Sequence, residues 1–299
     1  MRRSILFTIV IAVFACGTAA AQTVGTIVVA HGGDDGWNRQ VIDIAARAKT
    51  GGPIEVAFLM GPGASSYRFQ DAAQKLVKAG VGQIVVVPLL ISSSSGHYDQ
   101  IRYLAGAAVK LDDVMMHHLH MAGLEPAKVN VPMRVTRAID DSPAAARVLA
   151  ERALELTRNT AAHALFIVGH GPNEPEQFAF WMKNLRTLAD SVQSFSGFAD
   201  VRTGVIQDDA PAEVRAEAVK RVRDLIELQH AATKQPVVVV PALISKGSIT
   251  KEKLPRDLAG LPILFSGEAL LPHPLLAKWI EERVADASAT ALRQDHSSR

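Results

Sequence analysis

Short apolar runs rich in β-branched residues alternate along this chain with longer stretches of helical spacing. The apolar runs fall at 25–30, 54–60, 83–90 and 131–136, with helical patterns at 38–48, 66–79, after His97 and at 143–157. The series then restarts. Strands are predicted at 164–169, 199–206, 236–244 and 261–265, and helices at 176–192, 211–231 and 274–286. The order β-α-β-α-β-α-β-α therefore recurs, with one helix fewer between the last two strands of the second series. Runs that are apolar on both faces belong in parallel sheets covered by helices. The expected fold is α/β, with two similar domains, each a parallel sheet flanked by helices, and a cleft between them.

The repeat is visible in the letters. Val28-Val29-Ala30-His31-Gly32 matches Ile167-Val168-Gly169-His170-Gly171, and Val86-Val87-Pro88-Leu89-Leu90-Ile91-Ser92 matches Val239-Val240-Pro241-Ala242-Leu243-Ile244-Ser245. Ser142-Pro143 with Ala150-Glu151-Arg152 matches His273-Pro274 with Glu281-Glu282-Arg283. Domains are expected at 22–160 and 161–287, with a polar tail at 288–299. Each half is long enough to bury a core of its own, and the cleft between them is the expected ligand site.

Ligands in open parallel sheets sit beyond the carboxyl ends of the strands. Two first-half strands deliver a histidine there. One runs into His31-Gly32-Gly33. The other passes Pro88, where a ladder should end, and reaches Ser92-Ser93-Ser94-Ser95-Gly96-His97, a small-residue loop open enough for a flat ligand. Neutral imidazole binds divalent transition metals and is also a base near neutrality. A lone loop histidine is usually held by local hydrogen bonds. Two at matched strand ends favour a metal or proton-transfer site. Where His97 stands, the second half has Lys246-Gly247-Ser248-Ile249-Thr250, so one centre, built mainly by the first half, is expected. His117, His118 and His120 follow Met115-Met116 in an insertion that the second copy lacks. They read either as incidental histidines on a half-exposed helix or as an accessory metal site.

Composition narrows the function. Arg2 and Arg3, the apolar run 5–15 and Ala19-Ala20-Ala21 have the form of a cleaved export signal over residues 1–21. The apolar run is too short to span a bilayer, and no later run reaches spanning length. A periplasmic or secreted protein is expected. Cys16 is the only cysteine, and Phe14 fits a lipoprotein site poorly. Of 32 basic and 30 acidic residues, the signal removes Arg2 and Arg3, leaving a balance of zero. A nucleic-acid surface would need a basic excess. There is no Walker loop and no Gly-x-Gly-x-x-Gly after a strand, so no nucleotide is expected. Without a Gly-x-Ser-x-Gly elbow, the His31-Gly32-Gly33 loop does not make a serine hydrolase.

An apolar strand into Ala-His-Gly, then a strand into Pro and a loop ending Gly-His, resembles the class II chelatases. It is most similar to the sirohydrochlorin chelatases in their long, duplicated form, from about Val24 to Val284. The helix 66–79 before Gly80-Val81-Gly82 and the stretch Leu271-Pro272-His273-Pro274 also fit. Gly32-Gly33-Asp34-Asp35 stands where the family has Gly-Ser-Arg. The resemblance implies ATP-independent insertion of Co²⁺ or Fe²⁺, with Ni²⁺ as a further option, into a tetrapyrrole such as sirohydrochlorin. It places the two catalytic, metal-binding histidines at His31 and His97. Related ferrochelatases imply a second-half site at His170 and Glu268. The substrate's carboxylates call for basic groups, for which Arg39, Arg68 and Arg102 are candidates. The alternative is an exported, non-catalytic carrier of metal or tetrapyrrole that uses the same cleft.

Overall fold

The computed structural model describes residues 23–297, with side chains through 289. The expected signal at 1–21 lies outside the described residues. The first half runs β1 (Val24–Ala30), α1 (Asp35–Arg47), β2 (Ile54–Phe58), α2 (Phe69–Lys78), β3 (Gln83–Leu89), α3 (Gly96–Leu104), α4 (Asp113–Met121), β4 (Met133–Val135) and α5 (Pro143–Leu156). The second runs β5 (Leu165–Gly169), α6 (Pro175–Ser196), β6 (Val201–Val205), α7 (Ala212–Thr233) and β7 (Val237–Ala242). A π-helical turn at Ile249–Lys253 follows, then α8 (Leu254–Asp257), β8 (Ile263–Phe265) and α9 (Pro274–Ser297). The last helix thus extends through most of the stretch expected as a polar tail.

Two four-stranded sheets form, ordered β2-β1-β3-β4 and β6-β5-β7-β8. Every strand pair is parallel. The strands β3, β5 and β7 are buried along their whole length, as their unbroken apolar runs require. The third strand was expected to end near Pro88, and β3 stops one residue beyond it, at Leu89; β7 likewise stops one residue beyond Pro241. Each proline is still accommodated in its ladder, opposite Val29 and Val168. The reason is local. The Val86 carbonyl accepts from Thr136 and the Val239 carbonyl from Ser266, so these residues face β4 and β8. Two residues on, each proline faces the same way, beyond Val135 and Phe265, where those short strands have stopped. No donor is missed there.

The halves do not keep separate cores. Helix α5, from the first half, packs on β7 and α6; helix α9, from the second, packs on β3 and α1. One apolar cluster accordingly runs through both sheets, with Val28, Val85, Leu149, Ile167, Val240 and Ile280 among its members. Two smaller clusters line the outer faces. Polar ties follow the exchange: Arg152 donates to the Ala269 and Pro272 carbonyls, Glu281 accepts from the Lys49 amide, and His273 meets Glu151 at 3.0 Å. The expectation of a self-contained core in each half is corrected here. The exchanged helices lock the two sheets together and so fix their carboxyl edges relative to each other.

Candidate active site

The loop after β1 can be built only with glycine at its second position. Gly32 has φ of +94°, and a Cβ there would lie 2.1 Å from the Met60 carbonyl oxygen. Buried Asn38, on the first turns of α1, clasps the loop: its Oδ1 accepts from the Gly33 amide at 2.9 Å and its Nδ2 donates to the Gly33 carbonyl at 3.1 Å. The Met60 amide donates to the His31 carbonyl at 2.9 Å. The His31 side chain is thereby held at the carboxyl edge of the sheet.

His97 arrives from the other side on the first turn of α3. The preceding serines were expected to leave an open loop. The hydroxyls of Ser92, Ser93 and Ser95 shape that loop. Ser95 caps α3 by accepting from the Tyr98 amide. Ser92 accepts from the Ser94 amide. Ser93 gives both its amide and its hydroxyl to Asp140, each at 2.7 Å. Asp140 is itself buried and also accepts from Asn184 of α6 and Arg137. A second-half residue therefore helps place a first-half histidine.

The two imidazoles meet edge to face, ring centroids 4.7 Å apart. Their tautomers follow from their partners. His31 Nδ1 lies 2.8 Å from the Gly32 carbonyl, which can only accept, so Nδ1 carries the hydrogen. His97 Nδ1 lies 2.9 Å from Gln100 Oε1. That oxygen is fixed because the Gln100 amide nitrogen donates to the Met115 carbonyl at 2.6 Å. Both rings thus keep Nε2 as an unprotonated, metal-competent nitrogen. Burial and the neighbouring imidazole hold His97 down to about 4. His31 is also lowered, by burial first, and the His170 charge adds to this. Both are neutral ligands at pH 7.

The second half presents the opposite polarity. His170, equivalent to His31, donates from Nδ1 to the Gly171 carbonyl at 2.7 Å, and its Nε2 lies 3.1 Å from Asp209. Burial alone would lower His170, but the Asp209 hydrogen bond and charge outweigh it, and the net shift is upward. Asp209 in turn is held near 2, chiefly by that hydrogen bond. His170, Asp208 and Asp209 lie close enough to suggest a metal site. Their valences are already used, however. Both His170 nitrogens are engaged, and buried Asp208 is taken up by Arg215 and Lys253. Glu268, expected beside His170, pairs with Lys246 at 2.6 Å instead. At the position of His97 the second half has Thr250, whose hydroxyl closes its own turn with Gly247.

Other expected residues fall as follows. His118 is half-buried on the inner face of α4, while His117 and His120 are exposed. Arg39 is exposed on α1. Arg68 pairs with Asp71 at 2.7 Å and Arg102 with Asp99 at 3.2 Å. The two halves touch around the histidines: Ser245 donates to the Trp37 carbonyl, and Lys251 approaches Asp34 at 3.9 Å. A surface cavity of about 610 Å³ lies at the other end of β1, lined by Thr23, Lys49, Lys278 and Glu281. It is remote from this edge. Sequence reasoning missed Gln100, Asp140 and Asp209; only the spacing Gln100 = His97 + 3, one helical turn, could have pointed to the first.

A family model described as CbiX matches residues 25–156 and again 164–287. The chain belongs to the CbiX family of class II chelatases. Two CbiX repeats account for nearly all of the described residues. Among solved structures, SirB from Bacillus subtilis with Fe³⁺ matches with a TM-score of 0.63 at 16% identity, covering 91% of this chain and 98% of that one. The sirohydrochlorin chelatase SirB from Bacillus subtilis subspecies spizizenii, in complex with cobalt, matches with a TM-score of 0.59 at 12% identity, covering 91% and 98%. CbiX, the terminal enzyme for biosynthesis of siroheme in denitrifying bacteria, matches at 0.53 and 19% identity, covering 89% and 99%. At these identities the likeness to the solved structures is one of fold. No curated protein sequence matches the chain. Among the described residues, no helix is long and apolar enough to cross a membrane.

Proposed function

We propose that this CbiX protein inserts a divalent metal, Co²⁺ or Fe²⁺, into a sirohydrochlorin-type tetrapyrrole without ATP. One observation carries the reading: two half-buried imidazoles, 4.7 Å apart, each with Nδ1 committed elsewhere and Nε2 free. Family membership and the metals in two structures of the same fold support it.

The metal is the substrate. His31 and His97 bind it through Nε2 as neutral ligands, needing no proton release at pH 7. The macrocycle lies against the same edge, oriented so that its nitrogens replace the imidazoles one by one. For each divalent ion that enters, two pyrrole N–H protons leave. Each imidazole freed by the departing metal is a base next to those protons, so positioning and general-base catalysis share the work. Asp209, exposed and close to both His170 and His31 in charge, hands protons on to solvent. Residues 1–21, read as an export signal, put this chemistry outside the cytoplasm.

The test is turnover. Purified protein, excess sirohydrochlorin and Co²⁺ are followed by the absorbance change of metallation. Product in molar excess over protein supports the chelatase. Binding that stops at one equivalent would identify a carrier instead.

A further inference from the structure

Helix α4 is the first-half element with no counterpart at the site in the second half. In the second half the π-helical turn and α8, residues 249–257, take the place of α3, and the chain then passes to β8 with no further helix. The helix is capped by Asp112, which accepts from the Met115 amide at 2.7 Å. One face packs inward: Leu119 is buried and Met115 and His118 are half-buried, spaced three and four residues apart as helix geometry requires. His117 and His120 point to solvent.

This face abuts the metal-binding edge. Gln100, which holds His97, donates to the Met115 carbonyl. The first turn of α3 touches α4 so closely that a Cβ on Gly96 would lie 2.7 Å from Met115 Sδ. His118 is one turn beyond Met115 on the same face; its ring nitrogens are not already gathered with those of His31 and His97, so a shared ion would draw its side chain in. Its Nδ1 is buried and has no hydrogen-bond partner among the described residues. An unsatisfied buried polar atom costs about 1–3 kcal/mol and calls for a reason. A lone pair kept for a metal is such a reason.

We propose that His118 is a third metal-binding side chain of the His31–His97 centre. The inference rests on the reading of that pair as the metal site. Two imidazoles hold a divalent ion loosely. A third nitrogen, brought by an element unique to the first half, makes a site that loads before the tetrapyrrole arrives and leaves coordination positions open for pyrrole nitrogens. Imidazole donors favour Co²⁺, Ni²⁺, Fe²⁺ and Zn²⁺ over Mg²⁺ or Ca²⁺.

The test uses Co²⁺ alone with the purified protein. Binding is titrated through the visible Co²⁺ bands, and bound imidazoles are counted by X-ray absorption. His118→Ala should weaken Co²⁺ binding at least tenfold and lower the count from three to two. His118→Gln, which keeps the bulk against α3, should do the same with its melting temperature unchanged. His117→Ala and His120→Ala should stay within twofold of the wild type and keep three imidazoles. If both His118 variants bind as the wild type does while His31→Ala and His97→Ala lose the metal, the third ligand is refuted and the two-histidine site stands. A wild type that binds no Co²⁺ overturns both.

Discussion

Replacing Gln100 with leucine tests whether the geometry behind His97 matters as much as His97 itself. Leucine is of similar size, so the buried space stays filled. Two hydrogen bonds disappear, at 2.9 Å to His97 Nδ1 and at 2.6 Å to the Met115 carbonyl. At about 0.5–1.5 kcal/mol each, stability should fall by about 1–3 kcal/mol. The larger effect should be on the metal. Without a fixed acceptor, His97 is free to turn and to move its hydrogen to Nε2. Losing such an orienting partner typically costs 10–100-fold in metal affinity. Competition with protons cannot explain the loss. The Gln100 bond raises His97 basicity, so removing it lowers a group already near 4, and the ring is neutral at pH 7 in both proteins. Co²⁺ titration at pH 7 reads the affinity, and urea denaturation of the metal-free protein reads the stability. Affinity within twofold of the wild type, alongside the stability loss, would show that the tautomer lock does not serve the metal.

His97 and His31 are both held below 6.5 in the folded protein. Between pH 6.5 and about 4 the unfolded chain therefore binds more protons, and stability is lost as pH falls through that window. His97 alone contributes of order 2–3 kcal/mol, so His97→Asn should show a shallower drop in melting temperature from pH 6.5 to 4.5; parallel slopes would contradict the shift. Arg215 bridges the buried carboxylates Asp208 and Asp257 at 3.1 and 2.5 Å. Removing one partner of a buried pair costs about 3–5 kcal/mol, and Arg215→Met should sit near the low end because Lys253 and Arg256 remain on those carboxylates; an unchanged urea midpoint would count against it.

Much of the fold was legible because β-branched runs such as Val85-Val86-Val87 can hardly be anything but buried strands, and because the duplication repeats them. The two site histidines were legible for the same reason: each follows a strand that could be placed. Which sheet a helix covers was not legible. The apolar faces of α5 and α9 suit either sheet, and only packing reveals the exchange. The partners that tune the histidines were equally hidden. Asp209 reaches His170 from the loop after β6, and Asp140 reaches Ser93 across 47 residues. Neither belongs to a motif. The resemblance to ferrochelatases pointed to Glu268 beside His170, but Glu268 pairs with Lys246. Pro88 marked the end of β3 to within one residue, but sequence does not show that it faces the side where β4 has already stopped.

The most direct test of the central claim is the initial rate of Co²⁺ insertion into sirohydrochlorin by His31→Ala, His97→Ala and His170→Ala. His31 sits on the loop after β1 and His97 on the first turn of α3, both at the sheet edge and outside the apolar core, so both variants should fold normally, yet insert metal no faster than the protein-free reaction. His170→Ala should keep a measurable rate, since its ring is bound up with Asp209 and Gly171 and offers the metal no free nitrogen. Unchanged activity without His97, or equal loss without His170, would place the active centre in the other half.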